Sequence, residues 1–404
     1  MLIRIAWRNI WRNKRRALIV ISSVVVGIIA IVLTDGLSNG MINQMLFNQI
    51  NLNVAHIQIH KKGFINDKIV KDFIPDDEKV STVLNNDPYI KAYSRRVIAE
   101  GILSSANNSS AVEIYGIIPG EEQKVSIIKD QIIEGTYPGK GTQEIALGKK
   151  LADKLGITIG DKVVAMTNTF KGDIGTDVFR VTGIFSTASS DFDKMIVYVA
   201  VGSLQNLTNL GDRYNEYAVL LKEYSMVAEV QRDLVKKLGS DYEVLSYRDL
   251  LPMLIYQVDL YKETFMILDI IVGLALIFGI INVMQMAVFE RINEFGVLMS
   301  IGMNNKKIFG MIVTEGLFIG ILGTFAGLIL GILINIPLSH SGINLGFFSA
   351  GLESFGIGRI IYPELSIINL INTVLFIPFV AAAGAVYPAY RTIKFEPVFA
   401  LNYV

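Results

Sequence analysis

Four long runs of apolar residues divide the chain. They cover Ala17–Leu33, Phe265–Phe289, the stretch from Ile308 to Leu338, and Leu365–Tyr390. A helix needs about 20 mostly uncharged residues to cross the hydrocarbon core of a bilayer, and these runs approach or exceed that length. We therefore predict an integral membrane protein with four transmembrane α-helices.

Between the first and second runs, short apolar stretches alternate with turn residues. VAHIQIH, RRVIAEGILSS, AVEIYGIIP, DVFRVTGIF and KMIVYVAV have the pattern of strands, and Lys149–Leu155 and Ser225–Leu238 have that of helices. This predicts a large α+β extracytoplasmic domain. The expected organisation, by residue number, is an amphipathic helix at 1–16, transmembrane helix 1 at 17–38, the outside domain and a stalk at 39–263, transmembrane helix 2 at 264–289, a coupling helix at 290–307, transmembrane helix 3 at 308–338, a loop at 339–364, transmembrane helix 4 at 365–388, and a tail at 389–404.

Charge placement predicts the orientation. The 37 basic and 37 acidic residues cancel, so the net charge gives no support for a nucleic-acid partner. Cytoplasmic segments beside membrane spans are enriched in Lys and Arg, which places both termini in the cytoplasm and the large domain outside. The basic residues before the first span, where no acid occurs, are Arg4, Arg8, Arg12, Lys14, Arg15 and Arg16.

The first residues also have the pattern of an amphipathic helix. Arg4, Arg8 and Arg12 recur every four positions, and Trp7 and Trp11 belong to an apolar stripe beside them. Two interpretations remain open. The segment is either a positively charged anchor with interfacial tryptophans, or a helix that slides along the membrane and contacts a cytoplasmic partner.

The outside region offers little catalytic chemistry. His56 and His60 fall on what alternation predicts to be the solvent face of a strand, and Asp191 and Asp193 have the spacing of backbone-capping residues before a strand. The chain has no cysteine, which excludes thiolate chemistry and disulfides. No nucleophile elbow, zinc-protease motif or catalytic triad is present in the sequence. We predict no catalytic residue, no metal site and no enzymatic activity.

The segment after the second run, MAVFERINEFGVLMSIGMNNKKIFGMIVTEG, mixes charged and apolar residues. It predicts a short amphipathic helix at the inner membrane surface. The residues expected to couple this loop to a cytoplasmic partner are Glu290, Arg291, Glu294, Phe295, Gly296, Leu298, Met299 and Gly302, with Phe295 as the anchor.

These residues carry a family resemblance. Glu290-Arg291, Glu294-Phe295-Gly296 and Ser300-Ile301-Gly302, followed by Glu315 and a series of glycines, resemble the FtsX-like permease domain of MacB-type ABC transporters. The C-terminal YPAYRTIKFEPVFAL, with Pro397, Ala400 and Leu401, resembles the closing motif of that family. EIALGKKLADKLGITIGDKV resembles the MacB-like periplasmic core domain of the lipoprotein-releasing (LolC/LolE-like) branch.

The resemblance implies a multi-pass permease of the cell inner membrane whose large domain is periplasmic. The expected partners are a cytoplasmic ABC ATPase dimer, a second permease copy or paralogue, and a periplasmic carrier or adaptor protein. The chain has no phosphate-binding loop, so no cofactor is expected on it, and ATP and Mg would bind the separate ATPase. The resemblance implies the permease subunit of an ATP-driven mechanotransmission ABC transporter, and we expect it to release lipoproteins from the inner membrane toward a periplasmic carrier. Two alternatives stay open, namely MacB-like efflux of peptides or small molecules, and FtsX-like signalling to a cell-wall hydrolase.

Acidic residues and one apolar surface complete the candidate sites. Glu315 is expected near the start of the third span, either as a buried contact in the bundle or as an acid that reaches the interface. Asp35 and Asp269 are expected at the outer interface. A cargo cleft between opposing subunits is predicted to be lined by Val32, Leu33, Leu37, Met41, Phe265, Met266, Leu268 and Val272.

Overall fold

A computed structural model describes residues 2–12, 14–139, 143–348, 351 and 356–394. The chain divides into two compact units. The helical unit takes its residues from Met1–Ile42, Gln257–Asn344 and Ile360–Val404, and the sheet unit takes its residues from Asn43–Tyr256 and Leu345–Arg359. Of the closing motif noted in the sequence, Pro397, Ala400 and Leu401 lie outside the described residues.

Among the described residues, four helices are long and apolar enough to cross a membrane, as predicted. Span one is Lys14–Gln49, span two Pro252–Phe289, span three Asn305–Ser341 and span four Ile367–Thr392. Span two begins with the proline at its first turn, where a missing N–H costs no helical hydrogen bond. The N-terminal helix is Leu2–Arg12, the loop helix between spans two and three is Ile292–Ser300, and β11 (Ile343–Asn344) pairs with β12 (Ile360–Ile361).

Glycines let span three pack closely against two neighbours. A Cβ atom at Gly320 would lie 2.5 Å from the Cβ of Ala381 on span four, and one at Gly323 would lie 2.6 Å from Val24 on span one. Small residues of this kind allow helix backbones to approach each other inside a bilayer. Gly316 repeats the contact with span four, and Gly327 and Gly331 repeat the contact with span one. The glycine series therefore serves helix packing, as the sequence indicated.

The sheet unit is built on one sheet of ten strands. The strands are β1 Ile57–Lys61, β2 Ile90–Ser104, β3 Ser109–Ile117, β4 Ile132–Gly135, β5 Glu144–Gly148, β6 Lys162–Asn168, β7 Ile174–Phe185, β8 Ile196–Ala200, β9 Glu216–Leu221 and β10 Tyr242–Ser246. Their order is β10-β1-β9-β2-β3-β8-β5-β7-β4, and β6 pairs with both β2 and β7. Because β6 joins β2 to β7, strands β2, β3, β8, β5, β7 and β6 close into a small barrel.

Two packed layers stabilise this unit. The barrel interior is filled by aliphatic side chains such as Val97, Ile114 and Val197, with Phe179 among them. On the other side of β2, the antiparallel strands β10, β1, β9 and β2 pack against the amphipathic helix Val227–Leu238 and the helix Asp77–Asn85. The remaining helices are short, namely Phe64–Asp67, Pro119–Glu122, Lys149–Leu155, Ser190–Met195, Val201–Thr208 and Tyr247–Leu250, with a π-helical turn at Ile50–Val54 and short 3-10 turns at Ile128–Gln131, Tyr224–Met226 and Gly346–Phe348. The α+β prediction is confirmed.

One strand is placed differently from the prediction. β1 lies between β9 and β10 in the sheet, and its residues Gln58 and His60 are buried rather than solvent-exposed. His60 stacks on Phe64 at a ring-centroid distance of 5.0 Å and bonds the carbonyl oxygen of Asn215. Alternation alone misassigns this strand because a central strand covered on both faces has no solvent side.

Candidate coupling surface and bundle cavity

Residues that allow the chain to change direction lie at both ends of the loop helix. It follows span two after a break at Glu290 and Arg291 and ends at Ser300. Gly302 has a φ of 90°, a left-handed conformation that favours glycine. The side chain of Asn304 then accepts a hydrogen bond of 3.0 Å from the backbone N–H of Lys306 and caps span three.

The buried side of the loop helix contradicts one role assigned from sequence. Phe295 is 1% exposed and belongs to the hydrophobic core of the bundle, so it cannot anchor a partner protein in this structure. Val297 and Ile301 are the large apolar side chains that this segment presents outward, and Ile301 is 78% exposed. The segment is an amphipathic helix, but Phe295 lies on its buried face and not on its exposed face.

The other predicted coupling residues divide between the two faces. Gly296 is buried, and Leu298 and Met299 pack against the bundle core. Glu290, Glu294 and Gly302 are exposed. The outward face of this segment, which we call the loop face, consists of Asn293, Glu294, Val297, Ser300 and Ile301.

A charge cluster ties the loop helix to the bundle. Glu315 on span three is 8% exposed and accepts hydrogen bonds from Asn9 Nδ2 at 2.6 Å and from Arg291 Nη1 at 3.2 Å. Arg291 also donates from Nε to Glu294 Oε2 at 3.0 Å. A buried carboxylate is costly unless it is paired, and these donors supply the pairing. Of the two interpretations of Glu315, the structure favours the buried contact.

The N-terminal helix joins the same cluster. Arg12 forms an ion pair with Glu294, and Asn9 bonds Glu315, so two turns of this helix contact the loop helix and span three. Partial burial acts to raise the pKa of Glu294, but the hydrogen bonds from Arg12 and Arg291 outweigh it and hold that pKa below its usual range. Glu294 is therefore ionised at neutral pH and bridges two arginines. A cavity of about 270 Å³ lies beside the cluster.

A larger cavity of about 440 Å³ opens among spans one, two and four. Its lining includes apolar residues, among them Ile31, Phe265, Met266 and Phe376. The polar residues of the lining are Asp35, Ser38, Asn39, Lys262, Asp269, Asn369, Asn372 and Thr373. Asp35 and Asp269, predicted at the outer interface, both line this cavity. The chamber can hold a molecule that has both apolar and polar parts.

The structure brings together only part of the predicted cargo cleft. Phe265 and Met266 line the cavity, whereas Val32 is 1% exposed and packs against Gly331 of span three, which removes it from any cleft in this chain. Val272 packs against the bundle core. Among the described lining residues, Leu33, Leu37, Met41 and Leu268 do not occur. The cleft prediction missed span four, whose apolar residues carry no sequence signal for facing a cavity.

A second buried charge cluster, in the sheet unit, was not anticipated. Arg96 on β2 is fully buried, donates from Nη2 and Nε to Glu122 at 2.6 and 2.8 Å, and donates from Nη1 to Glu216 at 2.7 Å. Burial raises the pKa of Glu216 to about 7, against the opposing charge of Arg96. The available signal was the arginine pair Arg95-Arg96 within β2, directly before the apolar residues Val97, Ile98 and Ala99.

Asp193 has a structural role. Its carboxylate accepts hydrogen bonds from the backbone N–H of Thr187 at 3.0 Å and from the Thr187 hydroxyl at 2.8 Å. This agrees with the capping role expected from its position before a strand. Across the part of the chain that the structure describes, no group of histidine and acidic side chains has the make-up of a metal site.

Comparison with known proteins covers both units. The family described as MacB-like periplasmic core domain matches residues 17–237, and the family described as FtsX-like permease C-terminal matches residues 266–397. The lipoprotein-releasing system transmembrane protein LolC of Xylella fastidiosa (strain 9a5c) is 24% identical over 339 residues, which cover 78% of this chain and 79% of that protein. The macrolide export ATP-binding/permease protein MacB of Vibrio parahaemolyticus is 23% identical over 405 residues, which cover 96% of this chain and 58% of that protein.

Among solved structures, the periplasmic region of MacB from Actinobacillus actinomycetemcomitans aligns with a TM-score of 0.35 and 17% identity, covering 55% of this chain and 96% of that one. The similar proteins are named as ABC transporter permease components rather than as catalytic enzymes. With four membrane helices, a large α+β domain and family matches over both parts, this chain belongs to the family of ABC transporter permeases that have a MacB-like periplasmic core domain and an FtsX-like C-terminal domain.

Proposed function

We propose that this chain is the permease subunit of an ATP-driven transporter that releases lipoproteins from the inner membrane toward a periplasmic carrier. The observation that carries the proposal is the cavity among spans one, two and four, which is lined both by apolar residues such as Phe265 and Met266 and by the acidic residues Asp35 and Asp269. A lipoprotein has acyl chains next to a polar peptide, and a chamber lined by both residue types suits such an amphiphile.

The similarity to LolC over most of the chain supports the same cargo class. In this proposal both termini are cytoplasmic and the sheet unit is periplasmic. Two permease chains, identical or paralogous, work together. ATP favours a closed state of this pair, and the closed state has less room for cargo than the open state. A ligand that binds the open state better is released when the equilibrium moves to the closed state.

The energy source in this proposal is a separate ATPase dimer, which carries ATP and Mg. It docks on the loop face, where Ile301 and Val297 provide apolar contact and Glu294 provides a charge. Because Arg291 links Glu294 to Glu315, a force on the loop helix reaches span three through fixed contacts. The N-terminal helix moves with it through the Arg12–Glu294 pair.

Reconstitution tests this function. The chain, its paralogue if one is required, and the cognate ATPase are placed in proteoliposomes that contain an acylated lipoprotein and enclose ATP on the side of the ATPase, and a soluble carrier is added on the opposite side, where the sheet unit is exposed. We expect transfer of the lipoprotein to the carrier only when ATP is hydrolysed. Lipoprotein that stays in the membrane during sustained ATP hydrolysis would contradict the proposal.

Export is the second candidate function, and the similarity to MacB over 96% of this chain favours it. The same proteoliposomes separate the two. ATP-dependent movement of a soluble peptide or macrolide, with the lipoprotein unmoved, would assign the chain to export. ATP hydrolysis that changes only the protease sensitivity of the sheet unit, with no cargo moved, would favour signalling.

A further inference from the structure

The side of the N-terminal helix that faces away from the bundle core carries two rows of residues, one apolar and one basic. Ala6 and Ile10 are buried in the bundle core, and they define the packed side of the helix. The opposite side has an apolar row of Ile3, Trp7 and Trp11 beside a basic row of Arg4, Arg8 and Arg12. At 3.6 residues per turn, each row runs along the helix with a spacing of four residues.

Contacts with span three hold this helix beside a membrane-spanning helix. The Trp7 ring lies edge-on to Phe318 at a centroid distance of 5.6 Å, and to Trp11 at 6.0 Å. Phe318 belongs to the apolar run of span three, which begins near Ile308. Tryptophan beside aliphatic residues suits the interfacial region of a bilayer, and the exposed row of Ile3, Trp7 and Trp11 has this composition.

The basic row is only partly neutralised by the protein. Arg12 is paired with Glu294, but Arg4 and Arg8 make no ion pair with any residue that the structure describes. Both are exposed, one helical turn apart, beside the tryptophans. Two guanidinium groups held at headgroup depth require anions, and lipid phosphates are the anions available at that level.

We propose that the N-terminal helix is a binding site for anionic phospholipid in the leaflet that it contacts. Arg4 and Arg8 hold the headgroup phosphate, and Trp7 and Trp11 lie against the glycerol and upper acyl region. Arg12, one turn further along the basic row, connects this lipid site to the loop helix through Glu294. The site is independent of the cargo and of the cargo cavity.

The sequence provides a local probe for this site. Trp7 and Trp11 are the only tryptophans in the chain, so intrinsic tryptophan fluorescence reports on the N-terminal helix alone. The full chain is reconstituted in phosphatidylcholine vesicles that contain a small fraction of lipid brominated on its acyl chains. The brominated lipid, which quenches tryptophan on contact, is either phosphatidylglycerol or phosphatidylcholine.

We expect brominated phosphatidylglycerol to quench several-fold more strongly than brominated phosphatidylcholine at equal mole fraction. The double substitution Arg4→Gln with Arg8→Gln should abolish this preference, so that the two brominated lipids quench equally. The matched control is Lys306→Gln with Lys307→Gln, which removes the same charge at the start of span three and should keep the preference.

Three outcomes would overturn the proposal. The first is equal quenching by the two lipids in the unaltered chain, and the second is a preference that survives the arginine substitutions. The third is a preference lost equally in the lysine control, which would indicate general charge attraction instead of a site. Tryptophan emission in phosphatidylcholine alone should be the same for all variants, which verifies that the helix keeps its place.

Discussion

The guanidinium group of Arg291 lies 3.2 Å from the carboxylate of Glu315, which joins the residue just before the loop helix to the interior of span three. The same arginine bonds Glu294 on the loop helix, so one side chain holds a surface carboxylate and a buried one. Its removal should affect both folding and coupling.

Replacing Arg291 with alanine should destabilise the bundle by about 3–5 kcal/mol, because Glu315 would stay buried without its cation. The measurement is unfolding of the purified chain in detergent with increasing denaturant. Adding Glu315→Gln to this variant should restore part of the lost stability, since the amide needs no counter-ion and can still accept from Asn9. If the double variant is less stable than the single one, the ion pair is not the source of the effect.

The two faces of the loop helix should respond differently to substitution. Ile301→Ser should leave folding unchanged and reduce co-purification with the ATPase and its stimulated hydrolysis, because Ile301 is exposed. Phe295→Ala should lower the free energy of unfolding by about 3–5 kcal/mol, the usual cost of deleting a buried aromatic ring. Ser300→Ala is the control on the exposed face and should have little effect on either property. Normal ATPase binding by Ile301→Ser would move the docking site elsewhere.

Gly320→Ala should reduce the stability of the bundle by about 1–3 kcal/mol, because its new Cβ would lie 2.5 Å from the Cβ of Ala381. Gly310→Ala, on the same helix, is the matched control, since no atom lies within 4 Å of the position of its Cβ. That control should be neutral or slightly stabilising, as alanine favours helix more than glycine does. Denaturant unfolding of the two variants compares them directly, and equal effects would refute close packing of spans three and four.

The buried charge cluster of the sheet unit predicts a pH dependence. Burial raises the pKa of Glu216 from 4.5 to about 7 in the folded state, so its ionisation is less favourable there than in the unfolded chain. The contribution of Glu216 to stability is therefore fully present below pH 4.5 and is lost as the pH rises to about 7. Glu216→Gln should show no such loss.

The measurement is the unfolding free energy of the sheet unit in the full chain, compared between the unaltered protein and Glu216→Gln at several pH values. The stability of the variant relative to the unaltered chain should rise with pH across that window, by up to about 3 kcal/mol. Glu100→Gln, at an exposed position on the same strand as Arg96, serves as the control. A pH-independent difference would mean that the pKa of Glu216 is the same in the folded and the unfolded chain.

The sequence was sufficient for the spans because uncharged length is a direct requirement of the bilayer. It also indicated five of the ten strands of the described sheet, namely β1, β2, β3, β7 and β8, since turn residues separate them, but not the other five. It was insufficient for β1, whose polar residues Gln58 and His60 are buried, because burial on both faces depends on which strands become neighbours. The position of a strand within a sheet is a property of long-range pairing, which local alternation does not contain.

The candidate sites were likewise predicted only in part from the sequence. The charged loop was recognised from its residue types, but the assignment of Phe295 to the outside was wrong because an amphipathic helix does not itself reveal which apolar residues the bundle covers. The contacts of Asn9 with Glu315 and of Arg12 with Glu294 were not predicted, since the partners are 306 and 282 positions apart in sequence. The cavity was also predicted only in part, because residues of span four line it and the predicted cleft involved only spans one and two.

The most direct test of the proposed function is site-specific photocrosslinking at Met266. This residue lines the cavity and is 57% exposed, whereas its neighbour Ile267 is 54% exposed but is not among the described lining residues, which makes it the matched control. A photoreactive amino acid at Met266 should capture an acylated lipoprotein in membranes without ATP, and capture should fall when ATP is added, while Ile267 should capture mainly lipid in both conditions. Equal capture of lipoprotein at the two positions, or capture at Met266 that ATP does not change, would contradict release of lipoprotein from this cavity.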